Sequence, residues 1–228
     1  MAKFDLNDDS VVVIIGSGAG GGTLGNELAQ QGVKVVCLEA GKRLTLADIN
    51  NDGGHMFMKL SWLEPRVGSG DLDPNLPAWI CKTVGGTTVH WAGASLRFQP
   101  HEFKALTTYG RVVGANLDDW PISYEDLEHY YDLAEDKMGV TGTHGIERLP
   151  GNNNYKVLEA GAKKMGYKDY HTGNMAINSK MRDGRPACRQ IGFCMSGCAI
   201  GAKWSTLYTE IPKAEETGNF ELRPESMV

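Results

Sequence analysis

The chain has 228 residues, with 23 Lys and Arg against 28 Asp and Glu and a formal net charge of -5. It is long enough to bury one or two substantial cores, and its interspersed charges form no basic stripe of the kind a nucleic-acid partner needs. No segment sustains the roughly eighteen apolar residues of a membrane span, and residues 1–10 are polar and acidic where a secretory leader would be basic and then apolar, so no export or membrane address is expected in the chain itself.

Residues 10–41 read SVVVIIGSGAGGGTLGNELAQQGVKVVCLEAG. The apolar run Val11–Ile15 predicts a buried parallel strand, and Gly16, Gly18 and Gly21 then supply the G-x-G-x-x-G turn into a helix over about 20–31 that Gly32 ends. Gly16 allows the tight turn, Gly18 lets backbone approach a pyrophosphate, and Gly21 lets helix and strand pack closely. An anionic diphosphate would settle on the helix N-terminus, where unpaired N–H groups and the macrodipole favour negative charge. A second strand over 33–38 ends at Glu39, eighteen positions beyond Gly21, where a carboxylate accepts ribose hydroxyls and repels a 2′-phosphate. Strand, turn, helix, strand and acid in this order point to a dinucleotide site of the non-phosphorylated kind.

From 42 to 79 periodicity fades, and turn signals at 50–54, 68–70 and 74–77 suggest a long covering loop with a short helix over 55–63. The stretch 83–98, TVGGTTVHWAGASLRF, is too rich in glycine for a core strand and too apolar around His90 and Trp91 for a free loop, so it should be held against another surface. Residues 123–138 predict a helix with Ser123 as N-cap, Glu125 and Asp126 in the first turn, one apolar face of Leu127, Tyr130, Tyr131 and Ala134, a solvated acidic face, and Gly139 as the stop. A helix over 155–165 should end at Gly166, and another over 205–217 at Gly218, before a strand that begins near Phe220 and is interrupted by Pro224.

Cys37 and Cys81 read as small buried hydrophobes. Cys188, Cys194 and Cys198 form C-x5-C-x3-C in a glycine-containing loop, a spacing that matches neither the usual ferredoxin nor zinc patterns. By spacing alone, a metal centre, a disulfide and free thiols stay open.

Placed after a βαβ dinucleotide unit, VGGTTVHWAG (84–93) resembles the second flavin-contacting motif of the glucose-methanol-choline (GMC) oxidoreductases, and the likeness extends through DWPISYEDLEHYYDLAEDKMGVTG (119–142) and GAKWST (201–206). Within that family the chain is most similar to the large subunits of bacterial sugar and sugar-acid dehydrogenases. The resemblance implies an α/β, Rossmann-like FAD-binding domain with an inserted cap-like segment, divided as 1–110, 111–200 and 201–228, and a chain that is the front part of something longer. It implies that Gly16, Gly18, Gly21 and Glu39 hold the ADP half of FAD, that Gly85, Gly86, Thr87, Thr88 and Trp91 line the flavin end, and that Val228 approaches the adenine. His90 would either carry the flavin through a covalent bond or stand beside it as a neutral imidazole.

The resemblance further implies a three-iron four-sulfur cluster on Cys188, Cys194 and Cys198, although the proline common near the last cysteines is replaced here by Ser196, Gly197 and Ala199. The expected activity is oxidation of a CH–OH group in a sugar, polyol or sugar acid. A small exported subunit and a cytochrome c subunit would be partners, which would bring the flavoprotein to the periplasmic face; a cytoplasmic protein is the other expectation. The family's catalytic histidine lies near the C-terminus of the full-length enzyme; His55, His101, His129, His144 and His171 match no such motif, so no catalytic base is assigned and the chain alone is expected to be inactive. An NAD-dependent dehydrogenase and a noncatalytic cofactor-binding or electron-transfer module are the rival readings.

Overall fold

Residues 3–5, 7–62 and 78–228 are described in the computed structural model. The apolar run at the start of the chain forms strand β1 (Val11–Ile15), which leads through the glycine turn into helix α1 (Ala19–Gln30) and back along strand β2 (Lys34–Leu38). β1 and β2 pair in parallel, Val11 opposite Lys34 and Ile15 opposite Leu38, and Gly32 leaves the helix with a positive φ of 84° that favours glycine. The third strand, β5 (Phe220–Arg223), comes from the far end of the sequence and pairs in parallel with the other edge of β2, giving the order β1-β2-β5.

Because β2 is central, Val35, Val36 and Cys37 are fully buried, as the continuous apolar run of a parallel strand requires. β1 departs from the expectation of a buried strand: Ile14 is buried, but Val13 and Ile15 are 45% and 68% exposed. The physical reason is that β1 has a neighbour on one side only among the described strands, and α1 covers one of its faces.

Helix α2 (Gly53–Leu60) starts at Asp52, whose side chain accepts the His55 N–H at 2.9 Å, and buries Met56 and Leu60. Strands β3 (Ser61–Trp62) and β4 (Ala78–Cys81) form an antiparallel pair inside what composition suggests is a plain loop. The turn signals at 68–70 and 74–77 lie outside the described residues.

The chain divides into two compact units, one of residues 1–93 with 181–228 and one of residues 94–180. The second contains helices α3 (Ala105–Tyr109), α4 (Tyr124–Met138) and α5 (Asn153–Lys164). α4 begins with a reciprocal cap: Asp126 N–H donates to Ser123 Oγ at 3.3 Å, and Ser123 N–H donates to the Asp126 carboxylate at 2.8 Å. Its inward face differs from the expected one. Tyr130 is 64% exposed and Ala134 is exposed, whereas Glu135 on the supposedly solvated acidic face is buried. The cause is Arg97, which places Nε 2.8 Å from Glu135 Oε1 and Nη2 2.6 Å from both Glu135 Oε2 and Asp132 Oδ1, so a carboxylate can be buried with its charge met.

In the first unit, helix α6 (Glu210–Glu216) begins five residues later than the pattern over 205–217 suggests. The hydroxyls of Ser205 and Thr206 are drawn to distant groups instead, Ser205 Oγ lying 2.9 Å from Thr88 Oγ1 and Thr206 Oγ1 donating to the Ser17 carbonyl at 2.9 Å, and Pro212 is tolerated because it falls in the first turn. α6 packs on α1, where Asn26 Nδ2 donates to buried Glu210 Oε2 at 2.6 Å.

Candidate functional site

The C-terminal ends of the parallel strands carry the glycine turn, which is where α/β sheets bind ligands. Gly16 has a φ of 88° and its N–H donates to the Leu38 carbonyl at 2.8 Å, joining the two strand ends. A Cβ on Gly21 would lie 2.0 Å from the Gly16 carbonyl oxygen, so close packing of helix against turn requires glycine there. Gly18 is different: a Cβ on it would meet only Gly86 Cα, at 3.9 Å. Its bareness therefore serves no packing need within the chain, and it leaves space over the start of α1. Gly18 is also the N-cap of α1 and offers no side-chain cap, so the first-turn N–H groups keep their capacity for an external acceptor.

Glu39 is buried at the end of β2. Its Oε2 accepts the Ser17 N–H at 3.0 Å and the Ser17 hydroxyl at 2.6 Å, and its Oε1 accepts the Gly41 N–H at 2.8 Å. Three donors leave a carboxylate with acceptor capacity for one more hydroxyl. Ser17 Oγ in turn accepts the Gly85 N–H at 3.0 Å, so one hydroxyl joins the first turn, the acid and the second glycine loop.

That second loop is held firmly. Gly85 and Gly86 have φ values of 93° and 52°, and residues Gly86–Val89 form a 3-10 turn. Thr88 Oγ1 donates to the Gly85 carbonyl at 2.5 Å and lies 2.9 Å from Ser205 Oγ, while Thr206 Oγ1 donates to the Ser17 carbonyl at 2.9 Å. Thr88 is thus buried in a hydroxyl network, whereas Thr87 is exposed. Trp91 packs edge-on against Trp204 with ring centroids 6.0 Å apart, and its Nε1 donates to the Trp204 carbonyl at 2.9 Å. His90 is buried, and burial, with the charge of Lys203 adding to it, holds its imidazole below the ordinary value of 6.5. Val228 is 73% exposed, two residues after Ser226, whose N–H donates to the Glu39 carbonyl at 2.8 Å.

All five cysteines are free thiols. Burial pushes Cys37 and Cys81 up to about 12, with the Glu39 charge adding to it, which keeps them protonated and inert. Cys188, Cys194 and Cys198 are half-buried on one loop of the first unit. Cys188 Sγ accepts the Gln190 N–H at 3.3 Å and Cys198 Sγ accepts the Lys203 N–H at 3.4 Å. Burial holds the Cys194 thiol above its ordinary value, with the Lys203 charge opposing this and the neighbouring Cys188 and Cys198 adding to it.

In the second unit, Asp132, Glu135 and His144 do bring their ligand atoms within 4.8 Å. The Arg97 guanidinium already holds both carboxylates, so this is an ion-pair network with its cation built in.

Sequence reasoning gave no role to Ser17, Gly41, Thr206 or Lys203. A Cβ on Gly41 would lie 2.2 Å from the Lys82 carbonyl carbon, and Lys203 is fully buried beneath the second loop. The motif GAKWST (201–206) is the sequence signal that contains the last two.

A parallel βαβ turn with a buried acid, joined to a second glycine loop, defines a dinucleotide-cofactor protein with an extended cradle. The chain belongs to the GMC oxidoreductase family, whose model matches residues 13–228. It is 33% identical to the fructose dehydrogenase large subunit of Gluconobacter japonicus, over 91% of this chain and 43% of that one. It is also 33% identical to paromamine 6′-oxidase of Streptomyces fradiae (95% and 40% covered), and 30% identical to 2-methyl-1,2-propanediol dehydrogenase of Mycolicibacterium austroafricanum (92% and 41%). The chain therefore spans about two fifths of the length of these relatives. Among solved structures, pyridoxine 4-oxidase from Mesorbium loti shares the fold with a TM-score of 0.54 at 16% identity, over 95% of this chain and 42% of that one.

Proposed function

We propose that the chain is the FAD-binding portion of an oxidoreductase acting on the CH–OH group of a sugar, polyol or sugar acid. The observation that carries this reading is the meeting of two glycine loops at Gly18 and Gly86, with Ser17 tying Gly85 to Glu39. NAD needs only the first of these loops; a second one held against it supports a cofactor that extends further, as FAD does. The names of the relatives agree, since fructose, paromamine and 2-methyl-1,2-propanediol all carry hydroxyl groups.

When bound, FAD supplies an acceptor for the hydride that leaves the alcohol carbon. The chain's own residues hold it. The first-turn amides of α1, with Gly16, Gly18 and Gly21, would face the diphosphate, and Glu39 the adjoining ribose. Gly85, Gly86, Thr87, Thr88 and Trp91 would border the flavin end, with His90 kept neutral by burial beside it. Cys188, Cys194 and Cys198 would hold a three-iron four-sulfur cluster that carries single electrons outward, a reading supported by three free thiols on one loop and by N–H donors to two of the sulfurs. A cytochrome c subunit and a small exported subunit are the partners that fit this electron route.

The test is purification of the complete gene product. A yellow protein that binds FAD, oxidises a panel of sugars and polyols, and contains iron meets the proposal. A colourless protein that cannot take up FAD overturns it, and a fully active, iron-free holoenzyme removes the cluster. Acid precipitation decides the His90 bond, because flavin colour left in the supernatant excludes it. We also propose that these 228 residues alone do not turn over substrate; alcohol oxidation by this chain alone overturns that.

A further inference from the structure

Lys203 is among the largest fully buried side chains, with 0% exposure. Its ammonium donates to the carbonyl oxygens of Val89 at 3.0 Å, of Trp91, and of Cys194 at 2.6 Å, which uses all three of its donors. Among the described residues no carboxylate lies within ion-pair distance of it. Burying an ammonium on backbone carbonyls alone is costly, and an apolar side chain of the same length would fill the space more cheaply. What the ammonium adds is direction. Two of its acceptors, Val89 and Trp91, bracket His90 in the second glycine loop, and the third opens the 3-10 turn Cys194–Ser196 of the cysteine loop. The Lys203 N–H also reaches Cys198 Sγ, and the next residue, Trp204, receives the Trp91 indole N–H on its carbonyl.

We propose that Lys203 is a positioning residue that fastens the flavin-facing loop to the cysteine loop, so that filling either site tightens the other. The inference rests on the FAD and cluster readings above and adds to them a coupling between the two loops, which is reciprocal.

The test uses the complete holoprotein and apoprotein made in riboflavin-starved cells. In the wild type, loss of FAD should speed amide hydrogen exchange over residues 194–198 as well as 85–91. Replacing all three cysteines of the loop by serine should weaken FAD binding about tenfold. In Lys203→Met, FAD should bind more weakly and lose part of the fine structure of its visible spectrum, exchange over 194–198 should no longer respond to FAD, and the serine substitutions should add no further loss. Additive losses, or faster exchange spread through β1 and β2, would mark a merely structural lysine and overturn the proposal. So would unchanged exchange over 194–198 when wild-type protein loses FAD, a result that needs no variant. A colourless protein that never binds FAD defeats the functional reading and this inference together, an iron-free yellow protein defeats the cluster reading and this inference, and a yellow, iron-containing protein with independent loops defeats this inference alone.

Discussion

Ser17 donates its hydroxyl to Glu39 at 2.6 Å while accepting the Gly85 N–H at 3.0 Å, so a single side chain of the first turn sets both the acid and the second loop. Ser17→Ala strands a buried N–H and removes one donor from a buried carboxylate. The expected result is a loss of about 1–3 kcal/mol of stability in urea unfolding, and FAD affinity lowered by about tenfold in a fluorescence titration.

Two glycines only three residues apart should respond in opposite ways. Gly21→Ala places a methyl group 2.0 Å from the Gly16 carbonyl oxygen and should destabilise the fold by about 2 kcal/mol or more. Gly18→Ala has room within the chain and an ordinary φ of -65°, so thermal unfolding should stay within about 0.5 kcal/mol of wild type. FAD affinity should nevertheless fall at least about tenfold, because the methyl group takes the space over the α1 N-terminus.

Arg97 holds Glu135, whose side chain is 6% exposed, in the second unit. Arg97→Met leaves that carboxylate buried with only His144 Nε2, 3.3 Å from its Oε2, beside it. The expected cost is about 2–4 kcal/mol, somewhat below that of a wholly enclosed pair because Arg97 is itself partly exposed. Guanidinium unfolding of wild type against Arg97→Met and Arg97→Lys measures it, and lysine should recover only part of the loss, since it cannot reproduce the fork.

Glu221 on β5 accepts from Arg223 and from the N–H groups of Lys3 and Phe4. Arg223 and those amides hold its carboxyl down, from 4.5 to about 2. A depressed carboxyl contributes stability that is present above its unfolded value and lost as pH falls through the folded one. Stability should therefore decline between about pH 4.5 and 2, and Glu221→Gln should flatten that part of the curve in urea melts run at stepped pH.

The βαβ unit was legible because its signals are local: an apolar run, glycines at fixed offsets, and an acid at the end of the second strand. The cap of α4 was legible for the same reason, Ser123 and Asp126 being three residues apart. Features that depend on distant partners were hidden. The exposure of Val13 and Ile15 follows from which strand lies beside β1, and no pattern within five residues records that. Glu135 belonged to an acidic face until Arg97, 38 residues earlier, drew it inward. The late start of α6 reflects hydroxyls claimed by Thr88, 117 residues away from Ser205. Lys203 sat in a visible motif without a visible purpose, since its acceptors at Val89 and Trp91 lie more than a hundred positions upstream.

The bond from Thr206 to the Ser17 carbonyl spans 189 residues, and β5 joins β2 from still further along the sequence. A nascent polypeptide leaving the ribosome at roughly 5–20 residues per second would display the glycine turn and the bare edge of β2 for roughly 10–40 seconds before those closing partners emerge. Until that interval ends, the edge of β2 and the apolar surface beside it stay open to wrong partners, so chaperone cover during synthesis bears on how much of the protein reaches a cofactor-competent state.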